Sequence, residues 1–150
     1  IIRVIRQYRP KVLVAPLGPC RHPDHTALWQ LARSVHFFSG AGGFPCDLPT
    51  FRPLRVIYHL EFLERTPTFI VDVSAQFEDK MRAIAAYSSQ FYVPGKSPPK
   101  SSFIGSQQFY DRLVARHAYF GSLIGVAYGE PYVIEEALRL DDPLRNAREG

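Results

Sequence analysis

Apolar residues recur at helical spacing in some parts of the chain and form short continuous runs in others. Residues 1–8 place apolar side chains at positions 1, 2 and 5 with arginines at 3 and 6, which predicts a helix that Arg9 and Pro10 end. The run 11–17 is bounded by Pro and Gly and predicts a buried parallel strand. A second helix is expected from Asp24, its predicted N-cap. Its apolar face comprises Leu28, Leu31, Ala32, Val35 and Phe38.

The rest of the chain repeats this alternation. Two apolar runs, 55–60 and 68–73, predict strands; a helix capped by Ser74 follows the second, and a last helix spans about 106–120. Helices that alternate with buried strands predict an α/β, Rossmann-like layered fold with a mainly parallel sheet. The chain opens with neither methionine nor a helix cap, so we expect residues 1–150 to be one domain whose N-terminal portion is missing.

Composition narrows the class of protein. The chain has two cysteines, and its formal net charge is +4 at pH 7. Two cysteines are too few for a disulfide framework, so a reducing, cytoplasmic setting is predicted. Basic residues are spread along the chain, and no apolar run reaches the roughly 20 residues of a membrane span. Neither nucleic acid nor a membrane is therefore expected as a partner.

The loop after the first predicted strand concentrates the residues that could carry chemistry. In open α/β sheets ligands bind at the carboxyl ends of the strands, and residues 18–25 lie at such an end. His22, Pro23, Asp24 and His25 bring two imidazoles and a carboxylate, ordinary ligands of zinc, into four residues. A hydrolytic zinc site needs three protein ligands, more than this tetrapeptide can supply with good geometry. The alternative is that Asp24 only caps the helix and that both histidines are surface residues.

Three further histidines lie in positions that give less indication of a functional role. His36 falls within an amphipathic helix, His59 within a strand, and His117 between Arg116 and Tyr119. All three are expected to be packing or solvent-facing residues.

Several segments resemble one protein family in the order in which they occur. The motif Arg-His-Pro-Asp-His-Thr-Ala at 21–27 follows a Pro-x-Val-x-x-Ala-Pro strand. The later segments are Phe38-Ser39-Gly40, Phe51-Arg52-Pro53, Val71-Asp72-Val73-Ser74, Ala86-Tyr87-Ser88-Ser89-Gln90-Phe91, and Tyr119-Phe120-Gly121 through Gly129-Glu130-Pro131. Together they resemble the LmbE/PIG-L family of zinc-dependent N-deacetylases over nearly the whole chain. Within it, they are most similar to the branch that deacetylates N-acetylglucosaminyl-malate in bacillithiol synthesis.

The resemblance implies a role for each residue of the motif. His25 matches a zinc ligand, His22 matches the histidine that polarises the amide carbonyl and protonates the leaving amine, and Asp24 matches the aspartate that orients His22. Arg52 matches an arginine near the family's substrate, and the family's mobile-loop tyrosine falls near Phe109 or Tyr110, although the spacing around both departs from the family pattern. The alternatives are a surface cation beside Pro53 for Arg52 and packing within a helix for Tyr110. The family's opening Ala-His-Pro-Asp-Asp motif has no counterpart here. This chain is therefore expected to hold one of three zinc ligands and to lack the general base.

The function implied is hydrolytic removal of the acetyl group from an N-acetylglucosamine conjugate, with Zn²⁺ as cofactor and N-acetylglucosaminyl-malate as substrate. The 150 residues alone are expected to be inactive. Relatives that act on mycothiol precursors or diacetylchitobiose leave another small-molecule conjugate open as the substrate. The alternative from a different class is a non-catalytic binding or assembly module of the same fold. Assembly into a homo-oligomer is also implied.

Overall fold

A computed structural model describes residues 1–60, 65–96 and 102–137. In chain order the elements are α1 (Ile2–Tyr8), β1 (Val12–Pro16), α2 (Pro23–Ser39), β2 (Arg55–His59), β3 (Phe69–Asp72), α3 (Phe77–Ala85), α4 (Gln107–Leu123) and β4 (Gly129–Val133). Single 3-10 turns precede α3 at Ser74–Gln76 and α4 at Phe103–Gly105. Each predicted helix and strand is present, and β4 is additional. The prediction that β1 is buried holds for Ala15 but not for Val12 and Val14, which are exposed.

The strands form one sheet in the order β1–β2–β4–β3. β1 and β2 are parallel, with Val12 opposite Arg55 and Pro16 opposite His59. β4 lies between β2 and β3 and is antiparallel to both. The α/β, Rossmann-like layered fold is confirmed. The expectation of a mainly parallel sheet is wrong for the described strands, because one of their three pairings is parallel.

The direction of β4 follows from the two helices that precede it. β1, β2 and β3 run in the same direction, since β2 and β3 are both antiparallel to β4. Between β3 and β4 the chain forms both α3 and α4, and this second helix returns it to the end at which β3 stopped. Asp72 accordingly pairs with Gly129, and the Ser74 hydroxyl accepts a hydrogen bond from the Tyr128 N–H at 3.0 Å. The prediction that Ser74 caps α3 is wrong, because Gln76 is the N-cap of that helix.

A proline inside β4 explains why the sequence did not predict this strand. Pro131 has no N–H for a ladder hydrogen bond, and proline normally indicates an edge strand. Here Pro131 lies opposite Ile70 of β3, while its carbonyl accepts from the Leu60 N–H at 3.3 Å. Pro131 therefore takes part in the hydrogen bonding of the sheet only as an acceptor, through its carbonyl.

The hydrophobic core lies between α2 and one face of the sheet. Its buried members are Ala15, Leu17, Ala32, Val56, Tyr58, Leu60 and Val133, with Leu13 and Trp29 packed against them. Of the five apolar α2 residues predicted to share a face, Ala32 and Val35 are buried. The other three, Leu28, Leu31 and Phe38, are 42–44% exposed. The helical period is right, but the apolar stripe is wider than the surface that covers it in the described part of the chain.

A buried arginine joins α1 to the end of α2. The Arg6 guanidinium donates to the carbonyls of Phe38, Ser39, Ala41 and Leu48 over 2.8–3.3 Å. The last carbonyls of a helix have no partner within it, and a cation there also complements the helix dipole. Arg6 therefore holds the carboxyl end of α2, while the loop from β1 fixes its amino end.

None of the helices in the described ranges is long and apolar enough to cross a membrane. The longest, α2 and α4, have 17 residues each. A bilayer span needs about 20 mainly apolar residues, and α4 alone contains Asp111, Arg112 and Arg116.

Candidate active site

The loop of residues 18–25, called here the site loop, leaves the carboxyl end of β1 and enters α2. Leu17 continues the pairing with β2, since its N–H donates to the His59 carbonyl at 3.1 Å. Gly18 then passes directly under the Trp29 indole, so that a Cβ atom at Gly18 would lie 2.8 Å from a ring carbon. Only glycine allows the backbone this close to Trp29, and the contact sets the path of the site loop.

Thr26 makes a second contact with this loop. Its hydroxyl accepts a hydrogen bond from the Cys20 N–H at 3.1 Å and donates one to the Cys20 carbonyl at 3.2 Å. The Thr26 N–H bonds to the His22 carbonyl at 3.2 Å in the first turn of α2. Sequence reasoning missed both Trp29 and Thr26. Their positions four residues after His25 and His22 are the signal that could have found them.

His22 is the N-cap of α2, and Pro23 occupies its first helical position. The His22 Nδ1 atom accepts a hydrogen bond from the Asp24 N–H at 3.2 Å. The prediction that Asp24 is the N-cap is therefore wrong: proline favours the first turn, where its missing N–H costs nothing, and the residue before it becomes the cap. Because Nδ1 is the acceptor, neutral His22 carries its proton on Nε2.

His25 lies in the first turn of α2, close to His22. The two ring centroids are 5.0 Å apart, and the rings are tilted by 33°. His22 is exposed, whereas His25 is half-buried. The structure thus brings the two predicted site histidines together and gives them different surroundings.

Asp24 is exposed beside His22, and the hydrogen bond between the two residues comes from the Asp24 backbone. Its carboxylate lies in the first turn of α2, where negative charge is favoured by the helix dipole. The role predicted for that carboxylate, orienting His22, stays a prediction.

Arg52 lies at the opposite end of α2. It donates to the Phe37 carbonyl at 3.1 Å, and its guanidinium stands 5.3 Å from the centre of the Phe37 ring. Phe37 follows His22 by 15 residues, which is about 22 Å along a helix axis. Within one chain, therefore, Arg52 is not placed with His22 and His25, and its substrate role stays a prediction.

Tyr110 lies in the first turn of α4. Its ring meets the Tyr92 ring edge-on, with centroids 6.0 Å apart. It lines an open cleft of about 710 Å³ between α3 and α4, together with Phe77, Met81 and Tyr128 among others. This surrounding fits a packing role as well as a substrate contact, so the predicted role of Tyr110 also stays a prediction.

A second group of ionisable side chains lies between α3, α4 and β4. This group, called here the Lys80 cluster, consists of Lys80, His117, Glu130 and Tyr132. Lys80 forms an ion pair with Glu130, and its Nζ atom is 2.8 Å from the His117 Nε2 atom. The Tyr132 hydroxyl donates to Glu130 at 2.6 Å. The His117 Nδ1 atom is 2.8 Å from the Leu113 carbonyl, so Nδ1 donates there and Nε2 accepts from Lys80.

Burial and pairing displace the pKa values within the Lys80 cluster. Burial lowers the pKa of His117, and the nearby Lys80 cation lowers it further. For Glu130, burial alone would raise the pKa, but hydrogen bonds from Lys80 and Tyr132 outweigh it and hold the carboxyl pKa below its usual value. Burial and the bond to Glu130 raise the pKa of Tyr132. His117 is thus a packing histidine, as the sequence predicted.

Several solved structures have the same fold as this chain. No model of a protein family matches the sequence. An N,N'-diacetylchitobiose deacetylase from Pyrococcus horikoshii superimposes with a TM-score of 0.69 at 25% identity, over 89% of this chain and 48% of the deacetylase. This chain shares the fold of that deacetylase.

Two other structures share that fold. The conserved protein TT1542 from Thermus thermophilus matches with a TM-score of 0.78 and 31% identity over 93% of this chain. The hydratase GalB from Pseudomonas putida matches with a TM-score of 0.70 at 15% identity, over 94% of this chain and 58% of its own, which shows the fold alone. The chain spans 58% of TT1542 and about half of the deacetylase. One fold carries different chemistries, so the function of this chain depends on the residues of its site loop.

Proposed function

We propose that this chain is the part of a zinc-dependent N-deacetylase that carries His22 and His25, acting on an N-acetylglucosamine conjugate. The observation that carries the proposal is the pair of imidazoles 5.0 Å apart where β1 passes into α2. This is the edge of an α/β sheet at which ligands bind. The fold shared with a diacetylchitobiose deacetylase supports the same class of reaction.

The donor chemistry of His25 suits zinc, but the residues that the structure describes do not complete a zinc site. Across residues 1–60, 65–96 and 102–137, no three His, Cys, Asp or Glu side chains gather in a way that could hold a metal. Further ligands and the general base would have to come from polypeptide other than these residues. The chain's coverage of 58% and 48% of two longer structures supports that division. A bound zinc ion would supply a polarised water.

His22 supplies a donor for the reacting amide. With Nδ1 engaged by the helix cap, neutral His22 presents its proton at Nε2. That N–H donates a hydrogen bond to the amide oxygen as negative charge develops there. Protonation of the leaving nitrogen requires the imidazolium form of His22, which gives up one proton and becomes neutral imidazole. Donors of this kind typically lower the barrier by about 3–4 kcal/mol, because their orientation is fixed before reaction.

N-acetylglucosaminyl-malate is the substrate we propose, with diacetylchitobiose and a mycothiol precursor as the competing conjugates. We further propose that the protein is cytoplasmic and forms a homo-oligomer. Phe37 is 57% exposed at the carboxyl end of α2 and is suited to a contact between subunits.

The test measures zinc content and acetate release on the full-length polypeptide that contains these residues, with N-acetylglucosaminyl-malate and N,N'-diacetylchitobiose side by side. We expect stoichiometric zinc and turnover. His25→Ala should lose both, since a ligand is removed. His36→Ala is the matched control, because the His36 ring lies far along the same helix and is bonded to the Pro53 carbonyl at 2.9 Å. It should keep both.

The outcome also separates the two classes of function. Absence of both zinc and acetate release in the unmutated protein would contradict the proposal. A non-catalytic binding module of the same fold would then be the better interpretation.

A further inference from the structure

Thr26 bonds to both polar backbone groups of one site-loop residue. Its hydroxyl accepts from the Cys20 N–H and donates to the Cys20 carbonyl, at 3.1 and 3.2 Å. A hydroxyl carries one donor and two acceptor sites, so this pair of bonds uses its single donor on the loop. Thr26 is half-buried, which places the pair partly out of solvent.

These two hydrogen bonds close a small ring of polypeptide around His22. The ring runs from Cys20 through His22 to Thr26, and the Thr26 N–H closes a second, smaller turn onto the His22 carbonyl at 3.2 Å. The Cys20 thiol also lies 3.6 Å from that carbonyl. Because His22 precedes the regular turns of α2, its backbone position depends on these contacts.

The packing of Gly18 under Trp29 holds the start of the loop in the same way. Trp29 is three residues after Thr26, and both side chains face the site loop from α2. The loop is thereby fixed at Gly18 and at Cys20, on the side from which it approaches His22. His25 needs no such support, because it lies within the first turn of α2.

We propose that Thr26 is a positioning residue, whose hydroxyl fixes the site loop so that His22 keeps its place beside His25 and the substrate. This inference rests on the proposed deacetylase function and adds a residue to it. Thr26 itself touches neither substrate nor metal in this proposal. Misplacing a reacting group by about 1 Å can lower a rate about a hundredfold. The two Thr26–Cys20 hydrogen bonds, called here the latch, should therefore affect kcat more than substrate binding.

The experiment compares Thr26→Val, which removes the hydroxyl, with Thr26→Ser, which keeps it, in the full-length protein. Loop opening is read from the rate at which a thiol reagent modifies Cys20. Cys46 is also free and half-buried, and it lies outside the site loop, so it serves as a reference in the same molecule. Zinc content and thermal unfolding are measured alongside.

We expect Thr26→Val to raise the Cys20 to Cys46 rate ratio about tenfold, since losing the latch favours local opening. Its kcat for acetate release should fall about ten- to a hundredfold, with KM and zinc content nearly unchanged. Thr26→Ser should restore both the ratio and kcat. A general loss of stability would instead speed modification of both cysteines.

Two results would overturn the proposal: an unchanged rate ratio in Thr26→Val, or a raised ratio with an unchanged kcat. Failure of the proposed function is distinguishable from both. It would show as no acetate release from the unmutated protein, while the cysteine rate ratio, which needs no turnover, still reports whether the latch exists.

Discussion

The site loop and the Lys80 cluster both bring ionisable side chains together, but they treat them differently. In the site loop, exposed His22 uses Nδ1 to cap α2 and leaves Nε2 for another group. In the Lys80 cluster, His117 is 5% exposed and both of its ring nitrogens are engaged, by Lys80 and by the Leu113 carbonyl. One histidine retains a donor for chemistry, whereas the other has none to spare.

In this molecule, shifted pKa values reflect burial and pairing and do not by themselves indicate the site of chemistry. The pKa shifts of Glu130, His117 and Tyr132 have causes in burial and mutual pairing. Shifted values often indicate active sites, but ion pairs that stabilise a fold shift them too. Polar groups that leave water need partners, and the Lys80 cluster supplies them. We therefore attribute the Lys80 cluster to stability and propose a chemical role for the site loop, and three changes test that division.

The largest effect is expected from His22→Asn. Asparagine is a good N-cap, so its side-chain oxygen can still accept from the Asp24 N–H, but its shorter amide places no N–H donor at the position of Nε2. We expect kcat for acetate release to fall about 10²–10³-fold while the free energy of unfolding changes by less than about 0.5 kcal/mol. Enzyme kinetics and urea denaturation of the full-length polypeptide measure the two quantities. A stability loss that matches the loss of activity would remove the distinction between the regions.

A smaller effect, on stability rather than activity, is expected from Glu130→Ala. It leaves the Lys80 ammonium without its anion and the Tyr132 hydroxyl without its acceptor. Because Lys80 and Glu130 side chains are 32% and 26% exposed, the loss should be about 2 kcal/mol, between the values for surface and buried pairs.

The control for Glu130→Ala is Asp79→Ala, which breaks the exposed pair between Asp79 and Arg82 on α3. It should change the free energy of unfolding far less, as measured by urea denaturation. Acetate release should be near normal in both variants. If Glu130→Ala lost activity while remaining as stable as the unmutated protein, the Lys80 cluster would belong to the active site.

The smallest effect is a dependence of stability on pH through His117. Its pKa in the folded protein lies below the usual 6.5, because it is buried and faces the cations Lys80 and Arg116, with Glu130 opposing them. As pH falls below 6.5 the unfolded chain takes up a proton before the folded one does, so stability is full above 6.5 and declines below it. For one proton the slope is at most about 1.4 kcal/mol per pH unit.

Comparison with His117→Gln, which cannot take up a proton, isolates this contribution. The difference in unfolding free energy between the two proteins should shrink as pH falls from 7 to 5. A difference that stays constant over that range would show that His117 does not titrate in this way.

Some local features of the fold were predictable from the sequence. The helices at 1–8 and about 106–120 and the runs 11–17 and 55–60 were assigned from spacing alone, because apolar period and the residues that end helices act within a few positions. The predicted N-cap of α2, Asp24, lies two residues after the observed cap, His22. Pro23 held the information needed to place the cap on His22, since proline prefers the first helical position.

Other features depended on contacts between distant residues. Proline is unusual inside a strand, and only the pairing of β4 with both β2 and β3 shows how Pro131 fits there. Arg52 stood near the expected substrate contact in sequence, yet it packs against Phe37 at the far end of α2. Loop paths between elements are set by which surfaces they cover, and local sequence says little about that.

The sequence by itself determined the alternation of helices and strands and the position of His22 and His25 in the loop after β1, because both follow from short-range spacing. Tertiary structure decided the order and direction of the strands, the burial of the Lys80 cluster, and the attachment of the site loop to Thr26 and Trp29. These depend on side chains that meet only after the chain has folded. Once a polar group is buried, it needs a hydrogen-bond partner.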